Sequence, residues 1–363
     1  MKTPIFLLAY GFLAYFSHAE IVTLAHADEK LPAESTVVWS PLFQATWDTM
    51  NQKLGGPPER VEPPNSLMAK LDATQWKPDA VMPEGSWKTW GGSATQAFLD
   101  QVNREAMELT GDARGPFALP QGLGQNTLAC YGILNRKVEF VKPFYRAKKA
   151  SMEFKIGEQT TPVRYFGAPP TRVEEFRKSV RILSWRPSEH SHAIQVTCKQ
   201  MGESLVLYLP GKPQDFSTAC RWLYKWRTDS MAVTNFTLHG TPQDPFPHER
   251  DLIQIPYTSL DVRESFSKLL QGNSRFHAGQ SVPWQIIAAE QHTRFKLHEK
   301  GAEVRVEATL AADPFAGPPI LPPTVPRHFI YDRPFFAFLW RDGAEWPYFG
   351  VWIGDVSALE KIP

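Results

Sequence analysis

The hydrophobic period of this chain changes near residue 127, and this change constrains the fold more than any other feature. Before it, the stretch 95–111 repeats apolar residues at helical spacing and ends on a glycine. After it, residues 127–135 form a nearly continuous apolar run, and residues 150–167 and 192–211 predict hairpins. This order predicts an α+β chain with large mixed β-sheets and several helices.

Other stretches extend the same pattern. Residues 36–56 predict a short strand and then a helix, and residues 215–226 predict another helix. A strand leading into a helix is predicted for residues 251–270. Two aromatic-rich strands about an Asp342-Gly343 turn are predicted for residues 327–356.

Composition limits the class of function. The 363 residues are 42% hydrophobic, which is enough for one large domain or two smaller ones. The net charge of +1 comes without a long run of one sign, so nucleic acid binding has no electrostatic basis. Cys130, Cys198 and Cys220 form no CxxC pair. Buried thiols, or one disulfide with one free thiol, both remain open.

The N-terminus has the pattern of a secretory signal. Lys2 precedes the apolar run 4–16, and the small residues of 17–19 precede a cut, with a second candidate cut at 25–27. The run is too short to span a bilayer comfortably, and no other segment could. We therefore expect a signal peptide over 1–19, secretion, and no stable membrane insertion. A buried N-terminal helix is the alternative.

Catalytic motifs are sparse. There is no HExxH, GxSxG, phosphate-binding loop or GxGxxG pattern. The stretch 265–268 reads SFSK, which would place Ser265 and Lys268 on one helical face, as in SxxK hydrolases, but SDN and KTG do not occur. His190 and His192 lie near a carboxylate without a third ligand, as expected of a solvated loop. We predict no catalytic residue, no metal, no cofactor and no enzymatic activity.

The stretch 299–317 combines two patterns. Its first part alternates like a strand that buries one face, and its second part breaks into Asp, Pro and Gly. Gly301 can act as a hinge because it has no Cβ. One face carries Ala302, Val304, Val306, Ala308, Leu310 and Ala312, and the other carries Glu303, Arg305, Glu307, Thr309 and Asp313. A plain buried strand is the alternative interpretation.

Several stretches, in order, resemble the serpins, the serine protease inhibitors. VVWSPLFQATWDTM (37–50) is similar to F-S-P-x-S-I-x-x-A, and NTLACYGILNRKVEFVKPF (126–144) to the central strand and K-x-x-W-x-x-P-F. IQIPYTSLDVRESFSKLL (253–270) resembles the L-P-K-F strand and helix. HEKGAEVRVEAT (298–309) resembles the hinge E-E-G-T-E-A-A-A-A-T. The stretch 329–356 resembles F-N-R-P-F-L-F-x-I followed by L-F-M-G-x-V.

The chain departs from the family at several positions. The family's Trp near the top of the sheet falls on Phe140, and its central-strand Asn falls on Gly132. Its Ser and His of the shutter fall on Phe43 and Gln291. The family's first helix has no room in this sequence.

The resemblance implies one serpin-like domain over 28–360 with an exposed reactive-centre loop at about 301–327. In such proteins a protease cuts the loop and is held as an acyl ester while the loop inserts into the main sheet. The scissile bond would be Phe315–Ala316, which suits a chymotrypsin-like serine protease. Arg327 is an alternative for a trypsin-like enzyme. The hinge residues would be Glu299, Gly301, Ala302, Glu303, Val304, Val306 and Ala308.

The same resemblance leaves a second function open. Inhibitory members carry small residues at the positions that match 304–307, whereas this chain has Val, Arg, Val and Glu. Stiff β-branched residues would slow insertion. A monomeric, non-inhibitory binding or scaffold protein of the same fold is therefore the alternative, and an SxxK-type secreted hydrolase is a remote one.

Overall fold

The computed structural model describes residues 21–32, 34–74, 76–119, 127–228, 237–238, 241–242, 244–266, 274–278, 283–286, 289–303 and 325–362. The predicted signal peptide over 1–19 lies outside these residues. No helix within the described ranges is long and apolar enough to cross a membrane.

The described helices lie mainly in the first third of the chain. Two short 3-10 helices, Val173–Phe176 and Pro187–Glu189, occur later. The α-helices are α1 (Leu42–Leu54), α2 (Ser66–Asp72), α3 (Pro78–Val81), α4 (Gln96–Thr110) and α5 (Phe216–Thr228).

Local sequence explains the ends of the two longest early helices. Thr95 accepts a hydrogen bond at its Oγ1 from the backbone N–H of Phe98 (3.2 Å), which caps α4. Gly111 ends α4 at φ 73°, and Gly55 ends α1 at φ 89°. The predicted helices over 36–56, 95–111 and 215–226 are confirmed.

The strands of the described residues follow one another closely from residue 128 onward. They are β1 (Val22–Leu24), β2 (Val37–Trp39), β3 (Glu59–Glu62), β4 (Trp87–Ser93), β5 (Leu128–Leu134), β6 (Val138–Glu139), β7 (Tyr145–Ile156), β8 (Gln159–Ala168), β9 (Val180–Arg186), β10 (Ser191–Thr197), β11 (Glu203–Leu209), β12 (Thr237–Leu238), β13 (Thr241–Pro242), β14 (Leu252–Pro256), β15 (Thr258–Ser265), β16 (Arg275–His277), β17 (Trp284–Gln285), β18 (Glu290–His298), β19 (Gly301–Glu303), β20 (His328–Ile330), β21 (Phe335–Arg341) and β22 (Phe349–Ile353).

A seven-stranded sheet in the order β1-β2-β22-β21-β11-β10-β9 forms the centre of the core. In β11, Leu205 and Leu207 contribute to a core on one face, and Val206 and Tyr208 to a core on the other, against α5. All seven residues of β11 are buried. This burial on both faces explains the continuous apolar pattern of the sequence.

A four-stranded sheet has the order β20-β14-β8-β7, and a buried ion pair joins the residues that immediately precede its first two strands. The Arg327 guanidinium donates to Asp251 from Nη2 (2.6 Å) and Nε (3.1 Å), and both side chains are 0% exposed. Arg327 also donates to the carbonyl oxygen of Phe246 (2.8 Å). A buried pair of this kind is stable only when its hydrogen bonds are complete.

Two further sheets matter for function. Strands β4 and β5 form an antiparallel pair, and β15, β18, β19 and β6 form a four-stranded sheet in that order. Two smaller sheets, β17-β16-β3 and β12-β13, complete the strands of the described residues.

Several expectations differ from the structure. Residues 251–265 form two strands, β14 and β15, and Ser265 is the last residue of β15, because alternating burial against β18 outweighs helical spacing. The helical face required for an SxxK pair is therefore absent at Ser265, and Lys268 lies outside the described residues. His192 belongs to β10, is 7% exposed and packs on Tyr331. Of the two alternatives left open for the cysteines, free thiols are confirmed, because Cys130, Cys198 and Cys220 are all unpaired with one another.

We predict that Asp251→Ala lowers the free energy of unfolding by about 3–5 kcal/mol, because Arg327 would remain buried without its counterion. Urea unfolding followed by fluorescence measures this change. Asp261→Ala is the matched control. It removes surface contacts of Asp261 with Arg294 and His292 and should cost only about 0–1 kcal/mol. Equal losses in the two variants would contradict the assignment.

Candidate functional site: a hinge strand between two sheet edges

The predicted hinge begins as a strand with a partner on each side. Strand β19 pairs antiparallel with β18 through Ala302–Leu297 and Glu303–Lys296. It also pairs antiparallel with β6, through Gly301–Glu139 and Ala302–Val138. The chain therefore turns after β18 and lies down between β18 and β6.

Steric space at this point requires glycine followed by a small residue. A Cβ on Gly301 would lie 2.1 Å from the carbonyl oxygen of Val138, which is inside contact distance. Ala302 is 0% exposed and belongs to the same core as Val138 and Leu297. The requirement for glycine at residue 301 thus has a structural cause, the close approach of two backbones.

A cluster of hydrogen bonds fixes Glu299, which lies two residues before this strand. The Arg146 guanidinium donates from Nε to Glu299 Oε1 (2.6 Å), and its Nη2 also pairs with that oxygen. The Tyr257 hydroxyl donates to Glu299 Oε2 (3.0 Å). The Phe144 N–H donates to the carbonyl oxygen of Glu299 (2.8 Å). The start of the hinge is therefore tied to β7 and to the segment between β14 and β15.

The electrostatics of this cluster favour an ionised carboxylate. Burial raises the pKa of Glu299, but hydrogen bonds from Arg146 and Tyr257 outweigh it and hold the pKa below its ordinary value. Burial, together with donation to Glu299, raises the pKa of Tyr257. Glu299 is 4% exposed, so its charge is compensated by these two partners and not by water.

Two strand edges, one of β5 and one of β18, lie on either side of the path that β19 would follow if it were extended. Strand β5 pairs with β4 along one edge, and β18 pairs with β15 along one edge and with β19 only at residues 296–298. Among the described residues, the other edge of β5 and the rest of the second edge of β18 have no strand partner. Strand β19 lies between β18 and β6, and β6 follows β5 after three residues. The edges of β5 and β18 therefore border the region into which β19 would extend. We call them the flanking edges.

The two faces of the flanking edges differ. On β5, Ala129 and Tyr131 pack in the same core as Val102 of α4. A Cβ on Gly132 would lie 2.3 Å from Thr46 Oγ1, so this opposite face lies directly on α1.

On β18, alternate residues are buried at Gln291, Thr293, Phe295 and Leu297, and the intervening residues are exposed. Gln291 donates from its Nε2 to Thr293 Oγ1 (3.1 Å). The inner face of this edge is therefore polar at one end and aromatic at the other.

The remaining predicted site residues are distributed as follows. Val304, Val306, Ala308 and the bond Phe315–Ala316 lie outside the described residues. Arg327, the alternative scissile residue, is fully buried against Asp251 and is not accessible to a protease in this conformation.

The positions that depart from the serpin pattern are filled by packing groups. Phe140 is buried edge-on against Phe144, with ring centroids 5.6 Å apart. Phe43 packs on Phe266, with ring centroids 4.5 Å apart.

The described residues contain no group of three or more His, Cys, Asp or Glu side chains that could hold a metal ion.

Sequence reasoning missed Arg146 and Tyr257. They lie 153 and 42 residues from Glu299 along the chain. No local spacing signals a contact of that separation. The RAKKA stretch at 146–150 was a possible clue, because five charged or small residues interrupt an apolar strand pattern.

We predict that Glu299→Gln destabilises the protein by roughly 1–3 kcal/mol at neutral pH, because it weakens charge-assisted hydrogen bonds at a buried site. A carboxyl whose folded pKa is lowered contributes stability above its unfolded pKa of 4.5, and that contribution is lost as pH falls through the lower folded value. The difference between wild type and variant should therefore shrink between about pH 5 and pH 3. Thermal unfolding measures it. Glu153→Gln, at an exposed site, should show no difference at any pH.

No protein-family model and no curated protein sequence matches the chain. Solved structures do. A tumour suppressing serpin is similar over 88% of this chain and 92% of that chain, at 10% identity and a TM-score of 0.51. Mouse protein-Z dependent protease inhibitor is similar over 88% and 91%, at 11% identity and a TM-score of 0.48. For thyroxine-binding globulin in complex with thyroxine, the match covers 71% of this chain and 64% of that chain, at 15% identity and a TM-score of 0.40.

The similarity to the tumour suppressing serpin spans most of both chains, so the α+β architecture predicted from the sequence is confirmed as that family's fold. At 10% identity this similarity bears on the fold alone. The chain is therefore a divergent protein with the serpin fold.

Proposed function

We propose that this protein is a secreted suicide-substrate inhibitor of a serine protease. A protease would cut the segment after β19 and form an acyl ester with it. The N-terminal part of the cut segment would then insert between the flanking edges as a new strand. The observation that carries the proposal is the two-sided pairing of β19, which is the first part of such a strand.

The register of β19 supports the proposal. Antiparallel partners move in opposite directions along the chain, so the pair Glu303–Lys296 continues with residue 304 opposite Phe295 and residue 308 opposite Gln291. The pair Ala302–Val138 continues with residue 306 opposite Leu134 and residue 312 opposite Leu128. An inserted strand without a bulge would then cover β5 to its first residue.

The faces agree with this register. Even-numbered residues from 302 to 312 would share the inner face with Phe295 and Thr293 of β18 and with Gly132 of β5. These are the apolar residues of the alternating pattern, whereas the charged residues would face outward. Burying each Val or Leu side chain would contribute roughly 1.5–3 kcal/mol. The register with β18 and the register with β6 therefore both place the apolar residues of the pattern on the inner face.

The predicted scissile bond Phe315–Ala316 lies three residues beyond the last residue that this register would insert. A Phe before the bond would fit the deep apolar pocket of a chymotrypsin-like protease. Secretion, as the N-terminal pattern predicts, would bring the protein to extracellular proteases.

A second candidate is a binding or scaffold protein of the same fold that is cut without trapping its protease. The observation that favours it is the Val-Arg-Val-Glu sequence at 304–307, because bulky residues slow insertion and the acyl ester would hydrolyse first. In this case cleavage would release an intact protease.

We expect the mature protein mixed with chymotrypsin to give a band at the summed mass on a denaturing gel. Ala308→Arg should abolish this band, because residue 308 would lie beside Gly132 on the face that packs directly on α1, where there is no room for a long charged side chain. Glu307→Arg places the same side chain on the other face, beside the exposed His292 of β18, and should retain most of the complex.

Trypsin and elastase extend the test to other specificities. Circular dichroism and melting temperature before mixing establish that each variant is folded. Cleavage within 304–324 by any of these proteases, without a covalent band, would contradict inhibition and support the second candidate. Equal loss in both variants would contradict the proposed register.

A further inference from the structure

A cavity of about 960 Å³ lies beside the hinge. Its walls are the end of β6, the end of β18 with the turn that follows, and the part of β7 near Arg146. The β7–β8 pairing shifts register between Arg146 and Ser151, so β7 bulges away from its partner here. Ala147 and Ala150 of this bulge line the cavity with small side chains.

The lining carries more positive than negative charge. Five cationic side chains line it, and three carboxylates accompany them. The carboxylates are Glu139, Glu299 and Glu360. The cations are Lys137, Arg146, Arg164, Lys296 and Lys300.

Each carboxylate already has a cationic partner. Glu299 pairs with Arg146, and Glu360 pairs with Arg164 (3.2 Å). Glu139 pairs with Lys199 at 3.0 Å, and Lys199 does not line the cavity. The three carboxylates of the lining therefore have their nearest cationic partners in groups other than Lys296 and Lys300.

The positive charges in and around the cavity lower the pKa of a carboxylate of its lining, Glu139. A hydrogen bond from Lys199 lowers the pKa of Glu139, and the charges of Lys137 and Lys300 lower it further, against the opposing effect of burial. Val138, Tyr257 and Ile362 supply apolar wall between the charges. A concave site with low-dielectric walls concentrates the field of its charges.

We propose that this cavity binds a small multivalent oxyanion, a molecule with several phosphate or carboxylate groups. The ammonium groups of Lys296 and Lys300, on either side of Glu299, would contact two of its anionic groups. Both lysines are exposed, so an anion can reach them without displacing any described residue. The volume is within the usual range for small-molecule sites.

Binding would also act on the hinge, a consequence that rests on the proposed function. An anion in this cavity would compete with Glu299 for Arg146, which ties the hinge to β7. The bound state would then differ from the free state in how readily β19 extends.

The test is isothermal titration of the full mature chain with tripolyphosphate at low ionic strength, with citrate as a second arm. Saturable binding is expected, and it should weaken as salt is raised. Tighter binding of tripolyphosphate than of citrate would assign phosphate as the ligand group, and the reverse order would assign carboxylate.

The double variant Lys296→Glu, Lys300→Glu should weaken binding at least ten-fold. The double variant Lys178→Glu, Lys212→Glu is the control, because it makes the same charge change at exposed lysines that do not line the cavity. Absence of saturable binding at millimolar tripolyphosphate, or equal weakening in both variants, would overturn the proposal. The titration contains no protease, so its failure would leave the inhibitor proposal standing and failure of inhibition would leave this one standing.

Discussion

The antiparallel pairing of Gly301 and Ala302 with a strand on each side is the constraint on which the account depends. Gly301 and Ala302 lie between Leu297 and Val138, and the fit of their backbones allows no larger side chain at residue 301. Glu299 holds the preceding turn through Arg146 and Tyr257. This arrangement fixes both the direction and the register of any strand that follows. The proposed function therefore depends on the junction between β19, whose position is fixed, and the segment that follows it. We call this junction the boundary.

The hinge packs in the same core as the seven-stranded sheet, because Ala302, Val138 and Leu207 belong to one cluster of buried residues. The seven-stranded sheet buries both of its faces, and the β14–β20 pair closes the far end of the segment with the Arg327–Asp251 ion pair. A strand can be added to a sheet only if its neighbours keep their positions, because backbone hydrogen bonds need matched edges. The same boundary also borders the cationic cavity, so binding of an anion and movement of the hinge would involve the same residues.

Much of the fold could be predicted from the sequence because its signals are local. Capping at Thr95, the glycines after α1 and α4, and the two-residue period of the hairpins each identify an element. Ser265 was misplaced because a short strand with alternating burial also satisfies a partly helical spacing, and only the pairing with β18 decides it. The contacts of Glu299 could not be predicted, since long-range partners leave no pattern in one sequence. The burial of His192 could not be predicted for the same reason, because it packs on Tyr331, which is distant along the chain.

Hydrogen–deuterium exchange of the backbone amides in β5 and β18 tests the central claim most directly. The measurement compares the intact protein with protein cut once between residues 304 and 324. If the cut segment inserts, amides on the flanking edges gain hydrogen-bond partners, and their exchange slows markedly while exchange in β10 and β11 stays the same. Unchanged exchange along β5 and β18 after cleavage would show that no strand enters between them, and the account would be wrong.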